Sequence, residues 1–517
     1  MPEPFSFGEL DIEIVAQMEE ARGAPDPETP FRIAILGDFS GRANRRISDN
    51  ELADRKPLLV DRDNIDDVIK KLKVEIVLPL LGNEAPLSQI TISSMDDFHP
   101  DSLFEGLEIF EALRDTRRTI NDPVSFASLV KDIKGEKVSP DTVKDISPPL
   151  PPIGKGGINK GPSTGDLLDQ VLEETETSPS ASGGSRVMSE WDNFLRSIVQ
   201  PHIVPDIEPQ QSKMLDALDA ATSEMMSMVL HHPDFHALEA AWRSIHFLVS
   251  RVETDENLKL YIIDISKEEL AADLGKAADL RSTGMYKLLV EQTVETFGGE
   301  PWSVLAGNYY FDDQYDDVSL LGRLAKIAWA SGAPFIAGAS ERILGCESLH
   351  ETPGHEQWKQ TEENRPWEAL RKLTEVEYLG LALPRFLLRL PYGPDTDPVD
   401  SFEYDEMPYA SVHNLYLWGN AAMACAYLIA EAFSRNEWNL RPGSIQDIED
   451  LPLHLYKDKG ETRTKPCAEV VFTEEAAEII LEKGIMPLLS FKNQDRVRLA
   501  RFQSLADPPA NLAGRWG

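Results

Sequence analysis

Three cysteines, Cys346, Cys425 and Cys467, stand far apart in 517 residues, with no CxxC or other zinc spacing. That argues against a disulfide framework or a structural zinc site and fits a reducing compartment. No apolar run reaches the roughly 18 residues of a bilayer span. Candidates such as Ala421 to Phe433 are too short and carry Glu431. The first residues, Met-Pro-Glu-Pro-Phe-Ser, lack a basic region followed by an apolar one, so no signal peptide is expected. Positive charge is scarce: 51 Lys and Arg face 88 Asp and Glu, for a net charge of −37. Such a chain repels phosphate backbones and anionic lipid surfaces, so neither nucleic acid nor direct membrane insertion is expected.

Catalytic signatures are also missing. There is no HExxH or HRD motif. Gly161-Pro-Ser-Thr-Gly165 matches GxSxG but has no strand before it, and Ser128-Leu-Val-Lys131 matches SxxK without its partner motifs. Gly37-Asp-Phe-Ser-Gly41 follows a strand but lacks the spacing of a phosphate loop, and reads as a tight turn with a polar side chain. His231, His232 and His236 surround Asp234, yet Pro233 interrupts them. A helix end followed by an Asp234 cap accounts for them without a metal. No catalytic residue, metal or cofactor is assigned.

What the chain does contain is an α/β pattern long enough for several domains. Residues 1–29 hold a possible strand, Leu10 to Val15, and a Pro-rich loop. Residues 30–134 read as a small α/β domain, with strands at Phe31 to Leu36, Val74 to Leu80 and Leu87 to Ile92 and helices at Asp63 to Leu72 and Asp101 to Thr116. Residues 135–187 are rich in Pro, Gly and Ser and read as a disordered linker. Within it a short amphipathic helix at 165–175 puts Leu167, Leu168, Val171 and Leu172 on one face, the form of a docking peptide. Residues 188–517 read as a larger α/β region. Its helices are expected at Gln211 to Leu230, Asp234 to Val252, Glu268 to Leu280, Met285 to Phe297, Ser319 to Ser331, Leu415 to Phe433 and Glu474 to Lys483. Its strands are expected at Leu258 to Ile265, Trp302 to Asn308, Pro334 to Ala339, Glu469 to Phe472 and Pro487 to Phe491.

Three features suit contacts. Arg385 and Arg389 sit four apart in an apolar run, placed to pair with acidic groups inside the fold or across a subunit contact. Trp418 is expected at the start of the long helix as a core anchor. Lys492, Arg496, Arg498 and Arg501 oppose only Asp495, a basic patch that faces an acidic partner or else forms a solvated helix face.

Pro30-Phe-Arg-Ile-Ala-Ile-Leu-Gly-Asp-Phe-Ser-Gly-Arg42, Arg55-Lys-Pro57, Asp63-Asn-Ile-Asp66 and Ser94-Met-Asp-Asp-Phe-His-Pro-Asp101 make residues 30–134 resemble the small subunit of the type VI secretion contractile sheath, TssB or VipA. Residues from 164 to about 509 resemble the large subunit, TssC or VipB. They do so through His231-His-Pro-Asp-Phe-His-Ala-Leu-Glu-Ala-Ala-Trp-Arg243, Tyr378-Leu-Gly-Leu-Ala-Leu-Pro-Arg-Phe-Leu-Leu-Arg-Leu-Pro-Tyr-Gly393, Leu415-Tyr-Leu-Trp-Gly-Asn-Ala-Ala422 and Met486-Pro-Leu-Leu-Ser-Phe-Lys-Asn493. The resemblance implies a structural sheath protomer, here fused into one chain, that assembles around an inner tube. It implies other sheath subunits, an Hcp-like tube protein, a ClpV-type AAA+ unfoldase gripping the helix at 165–175, and baseplate proteins as partners, in the bacterial cytoplasm. Family members continue for a further domain-sized stretch beyond the position of Gly517. A sheath-derived cap or adaptor that docks on sheath or unfoldase without polymerising is therefore the second reading.

Overall fold

The computed structural model describes residues 25–126 and 207–516, with breaks at 27, 49–51, 81–86, 123–124, 360–363 and 409–410. The expected strand at 10–15, the linker with its helix at 165–175, and the two nucleophile-like patterns lie outside the described residues.

The first region runs β1 (Phe31–Gly37), β2 (Leu58–Val60), α1 (Ile65–Leu72), β3 (Val74–Leu78), β4 (Ser88–Ile92), α2 (Pro100–Gly106) and α3 (Glu111–Asn121). The second opens with two long helices, α4 (Ile207–Leu230) and α5 (Pro233–Arg251). Strands and helices then alternate: β5 (Leu258–Asp264), α6 (Lys267–Lys276), β6 (Val304–Phe311), α7 (Tyr315–Ser331), β7 (Phe335–Ala339), α8 (Arg365–Arg371) and β8 (Leu379–Leu383). Two short strands, β9 (Phe386–Leu387) and β10 (Trp418–Gly419), precede the buried helix α9 (Ala421–Asn436). The chain ends with β11 (Asp447–Ile448), β12 (Leu455–Asp458), β13 (Glu461–Thr464), α10 (Glu474–Glu482), β14 (Ile485–Ser490) and β15 (Val497–Leu499).

Nine strands form one mixed sheet in the order β11-β15-β14-β8-β7-β6-β1-β5-β2. The six from β14 to β5 are parallel, and antiparallel strands close both ends. The parallel strands read as nearly unbroken apolar runs because helices cover both faces. Along β1, Ile33 and Ile35 join the core under α5 and α9, while Ala34 and Leu36 join the core under α6 and α7.

The strand from the first region lies in the middle of this sheet. β1 pairs with β5 from Phe31 opposite Leu258 to Gly37 opposite Asp264, and with β6 from Ile33 opposite Val304 to Leu36 opposite Gly307. Both neighbours come from the second region, so the two regions share one sheet and one pair of cores.

Several elements differ from expectation. The helix expected at Asp101 to Thr116 is two, because Leu107 is extended between them. The helix expected from Met285 to Phe297 is a short α-helical turn followed by a π-helical stretch, Lys287–Glu291. The long helix begins at Ala421 and not Leu415, because the Asn420 side chain caps it by accepting the Ala422 N–H. Residues 469–472 form no strand; the nearby ladder contact is a single bridge from Phe386 to Ala468. β2 was not anticipated, its three residues being too few for an alternation to register.

Candidate functional site

The seam between the two regions is built at the carboxyl ends of β1 and β5. Asp264 ends β5; its Oδ1 accepts the Phe39 N–H at 2.8 Å and the Ser40 N–H at 3.1 Å, and its Oδ2 accepts the Ser40 hydroxyl at 2.7 Å. Burial raises the Asp264 pKa, and these hydrogen bonds oppose the shift. Next to it Ser266 and Glu269 form a capping box that starts α6. Arg42 reaches the Glu269 carboxylate with Nε at 2.8 Å and Nη2 at 2.8 Å, and Arg55 with Nη2 at 2.6 Å. Burial pulls the Glu269 pKa up, but the two guanidinium groups outweigh it and the net shift is downward. Arg55 also donates to the Asp264 carbonyl at 2.7 Å. Trp242 of α5 closes the seam from the other face, its indole N–H donating to the Phe39 carbonyl at 2.8 Å.

In an open α/β sheet, ligands occupy the crevice outside the carboxyl ends of the strands where strand order reverses. Here that point lies beside β1, which has β5 on one flank and β6 on the other. The turn that would cradle a ligand is spent internally. The Phe39 and Ser40 N–H groups go to Asp264, and the Arg42 and Ala43 N–H groups go to the Asp38 carboxylate, each at 2.7 Å. Gly41 has φ +77°, and a Cβ there would meet the Glu75 carbonyl oxygen at 2.3 Å. The turn locks β1 to its neighbours.

Further bonds cross between the regions. Asn44 donates to Asp234 at 2.8 Å, Arg117 pairs with Asp219, and Asp101 accepts the Asp400 and Ser401 N–H groups. Phe104 packs on Phe402 with ring centroids 4.9 Å apart.

Arg389 is buried between two carboxylates. Its Nε reaches Glu239 at 2.7 Å and its Nη1 reaches Glu406 at 2.8 Å, and it lies over the Tyr392 ring at 4.1 Å. His231 adds a 2.9 Å contact to Glu406. Burial alone would raise the Glu406 pKa; Arg389 and His231 bring it down to about 2. This cluster ties α4 and α5 to the 389–406 segment. Arg385 pairs with Glu469, which also meets His413 at 3.2 Å, and His413 contacts Lys465 at 3.1 Å. Burial lowers the Lys465 pKa to about 8. A pocket of about 130 Å³, lined by Tyr310, Glu341, Arg385 and Glu469 among others, opens beside this group.

The other sequence candidates fall in different places. Trp418 is not in the long helix: it pairs with Leu387 in the β9–β10 ladder, is buried, and donates its indole N–H to the His413 carbonyl at 3.0 Å. His232, not Asp234, caps α5, accepting the Asp234 N–H, while the neighbouring His231 turns to Glu406. Lys492, Arg496, Arg498 and Arg501 lie on the β14–β15 turn, on β15 and just after it, and not on a helix. Lys492 and Arg501 are exposed, and Arg496 stacks over Phe491 at 4.7 Å. Arg498 is neutralised by Asp447 of β11 at 2.6 Å, a partner the sequence reading missed because it lies 51 positions away. Glu239, Glu406, Glu469, Asp264 and Glu269 were likewise lost among 88 acidic residues. The Ser266-Lys-Glu-Glu269 capping box was the one local signal available for any of them. All three cysteines are buried and free. Among the described residues no helix is long and apolar enough to cross a membrane.

The strand-order crevice is thus filled by the chain's own ion pairs, in a sheet completed by two chain regions. The family model VipB, described as EvpB/VC_A0108, tail sheath N-terminal domain, matches residues 212–506, and the model T6SS_VipA, described as type VI secretion system, VipA, VC_A0107 or Hcp2, matches residues 11–136. Type VI secretion system sheath protein TssC1 of Pseudomonas aeruginosa is 35% identical over 369 residues, covering 68% of this chain and 73% of that one. The chain belongs to the VipB family of type VI secretion sheath proteins, with a VipA-like region fused ahead of it.

Proposed function

We propose that the chain is a one-piece sheath protomer. It polymerises around an inner, Hcp-like tube in the bacterial cytoplasm and acts without catalysis. The observation that carries this reading is the position of β1 between β5 and β6, which makes the two matched regions one rigid building block. The expected division into 1–29, 30–134, 135–187 and 188–517 then marks stretches of one unit, not independently working domains. Other sheath subunits are its first partners, and work on the tube comes from switching between two packings of rigid blocks. Leu167, Leu168, Val171 and Leu172 are assigned to the grip of a ClpV-type AAA+ unfoldase that recycles the sheath, and one end of the assembly meets the baseplate. Lys492, Arg496 and Arg501 are assigned to contact with the tube or a neighbouring protomer; Arg385, Arg389 and Trp418 hold the block in shape.

Negative-stain microscopy of the purified protein, with and without the tube protein, tests the proposal. Long hollow tubules are expected. Particles that stay small under both conditions would favour the cap or adaptor reading instead.

A further inference from the structure

The β12–β13 ribbon stands apart from the nine-stranded sheet. Its two strands pair from Leu455 opposite Thr464 to Asp458 opposite Glu461. Lys459 and Gly460 turn the chain with φ +51° and +87°, the two consecutive positive values of a two-residue hairpin turn. A lone two-stranded ribbon is marginally stable in water. Among the described residues, the backbone and side-chain hydrogen bonds that hold this one lie at its root. There the Lys465 N–H donates to the His454 carbonyl at 2.8 Å, and His454 bonds the Tyr416 hydroxyl at 2.6 Å. Leu455, Lys457, Lys459 and Arg463 are exposed.

The root also touches the basic turn between β14 and β15. The Leu451 N–H donates to the Asp495 carbonyl at 2.8 Å, and Cys467 Sγ lies 3.3 Å from the Pro452 carbonyl and 3.4 Å from the Gln494 carbonyl. Ribbon and turn are therefore neighbours. Residues 455–464 and 491–501 together hold seven basic and three acidic side chains, while the rest of the chain holds 44 basic and 85 acidic ones. Arg463 pairs with Asp458 and Arg498 with Asp447, so Lys457, Lys459, Lys492, Arg496 and Arg501 set the charge of this surface. Among the described residues no carboxylate forms a salt bridge with Lys457 or Lys492.

We infer that the β12–β13 ribbon and the β14–β15 turn form one basic docking face whose occupant is an acidic surface of a second copy of this chain. A basic face cannot pair with itself, so the contact joins two different patches and is head-to-tail. Such a contact builds a ring where its rotation closes and an open helical array where it does not, and the sheath reading selects the array. Charge complementarity selects the partner: with this face set aside, the same chain carries nearly two acidic side chains for every basic one. The inference rests on the sheath reading and adds to it which surface makes the self-contact.

The test compares the full-length chain with its Lys457→Glu plus Lys492→Glu variant and its Lys457→Arg plus Lys492→Arg variant. Pelleted assembly is measured by sedimentation at low and high salt, and thermal melting is recorded in parallel. The Glu variant is expected to melt like the parent and to need about tenfold more protein to assemble. The Arg variant is expected to assemble like the parent, and the parent itself to weaken as salt rises. A Glu variant that pellets as well as the parent overturns the inference and leaves the sheath reading intact. So does a Glu variant that assembles normally but no longer binds tube protein, since the occupant is then the tube. A parent chain that never self-associates overturns both.

Discussion

Arg55 and Glu269 stand 214 positions apart in the sequence and meet at 2.6 Å across the seam of the shared sheet. Glu269 takes a second guanidinium from Arg42, so one nearly buried carboxylate holds two cations from the other region. Breaking a buried pair from one side leaves uncompensated charge behind, a cost of about 3–5 kcal/mol. Glu269→Ala should therefore lower unfolding stability by about 3 kcal/mol. Chemical denaturation checks this; an unchanged midpoint would show that the seam is held by packing alone.

The position of β1 sets a stronger condition. A chain of residues 188–517 lacks the strand that pairs β5 with β6, and both would be left with unpaired edges inside the sheet. Expressed alone, it should aggregate, and residues 1–187 supplied as a separate chain should return it to solution as a complex. Solution behaviour by gel filtration is the readout. A monodisperse, folded 188–517 fragment would contradict the composite sheet.

Acid stability follows from Glu406 and Glu469. Both are buried, and both are held at about 2, against an ordinary 4.5, by their cationic partners. A carboxylate whose folded pKa is depressed contributes stability that is present above its unfolded value and is lost as pH falls through the folded one. Denaturation midpoints should fall between about pH 4.5 and 2, with a shallower fall in Glu406→Gln. A variant whose pH profile matches the parent's would show that Glu406 does not set the acid limit. Lys465 acts on the alkaline side. Its pKa is lowered to about 8 from 10.5, so the unfolded chain binds more protons in that interval and stability rises across it.

At the locking turn, Gly41→Ala combines a left-handed backbone with a Cβ 2.3 Å from the Glu75 carbonyl oxygen. It should cost about 1–3 kcal/mol, a loss visible as a lower melting temperature. An Ala variant that melts with the parent would show that the turn has room to relax.

Where apolar pattern alone fixes an element, the sequence was enough. Phe31 to Leu36 and Pro334 to Ala339 were legible as strands, and Asp234 to Val252 as a helix, because each carries its own periodicity. The α/β class and the sheath family were legible for the same reason and through long shared motifs. What periodicity does not encode is partnership. Nothing local in Phe31 to Leu36 says that its neighbours start at Leu258 and Val304, more than two hundred residues on. Nor does Arg389 announce Glu239 and Glu406, which converge on it only once α5 and the 389–406 segment pack together. Trp418 was misplaced because an apolar run before a helix looks like helix until the Asn420 cap marks the boundary.

If one chain carries both matched regions as a single sheath building block with β1 at its middle, electron cryomicroscopy of the assembled material should show a hollow helical tube in which every repeating unit has β1 between β5 and β6. Tubes whose units lack that strand in the middle of the sheet, or no tubes under any condition with the inner-tube protein present, would contradict it.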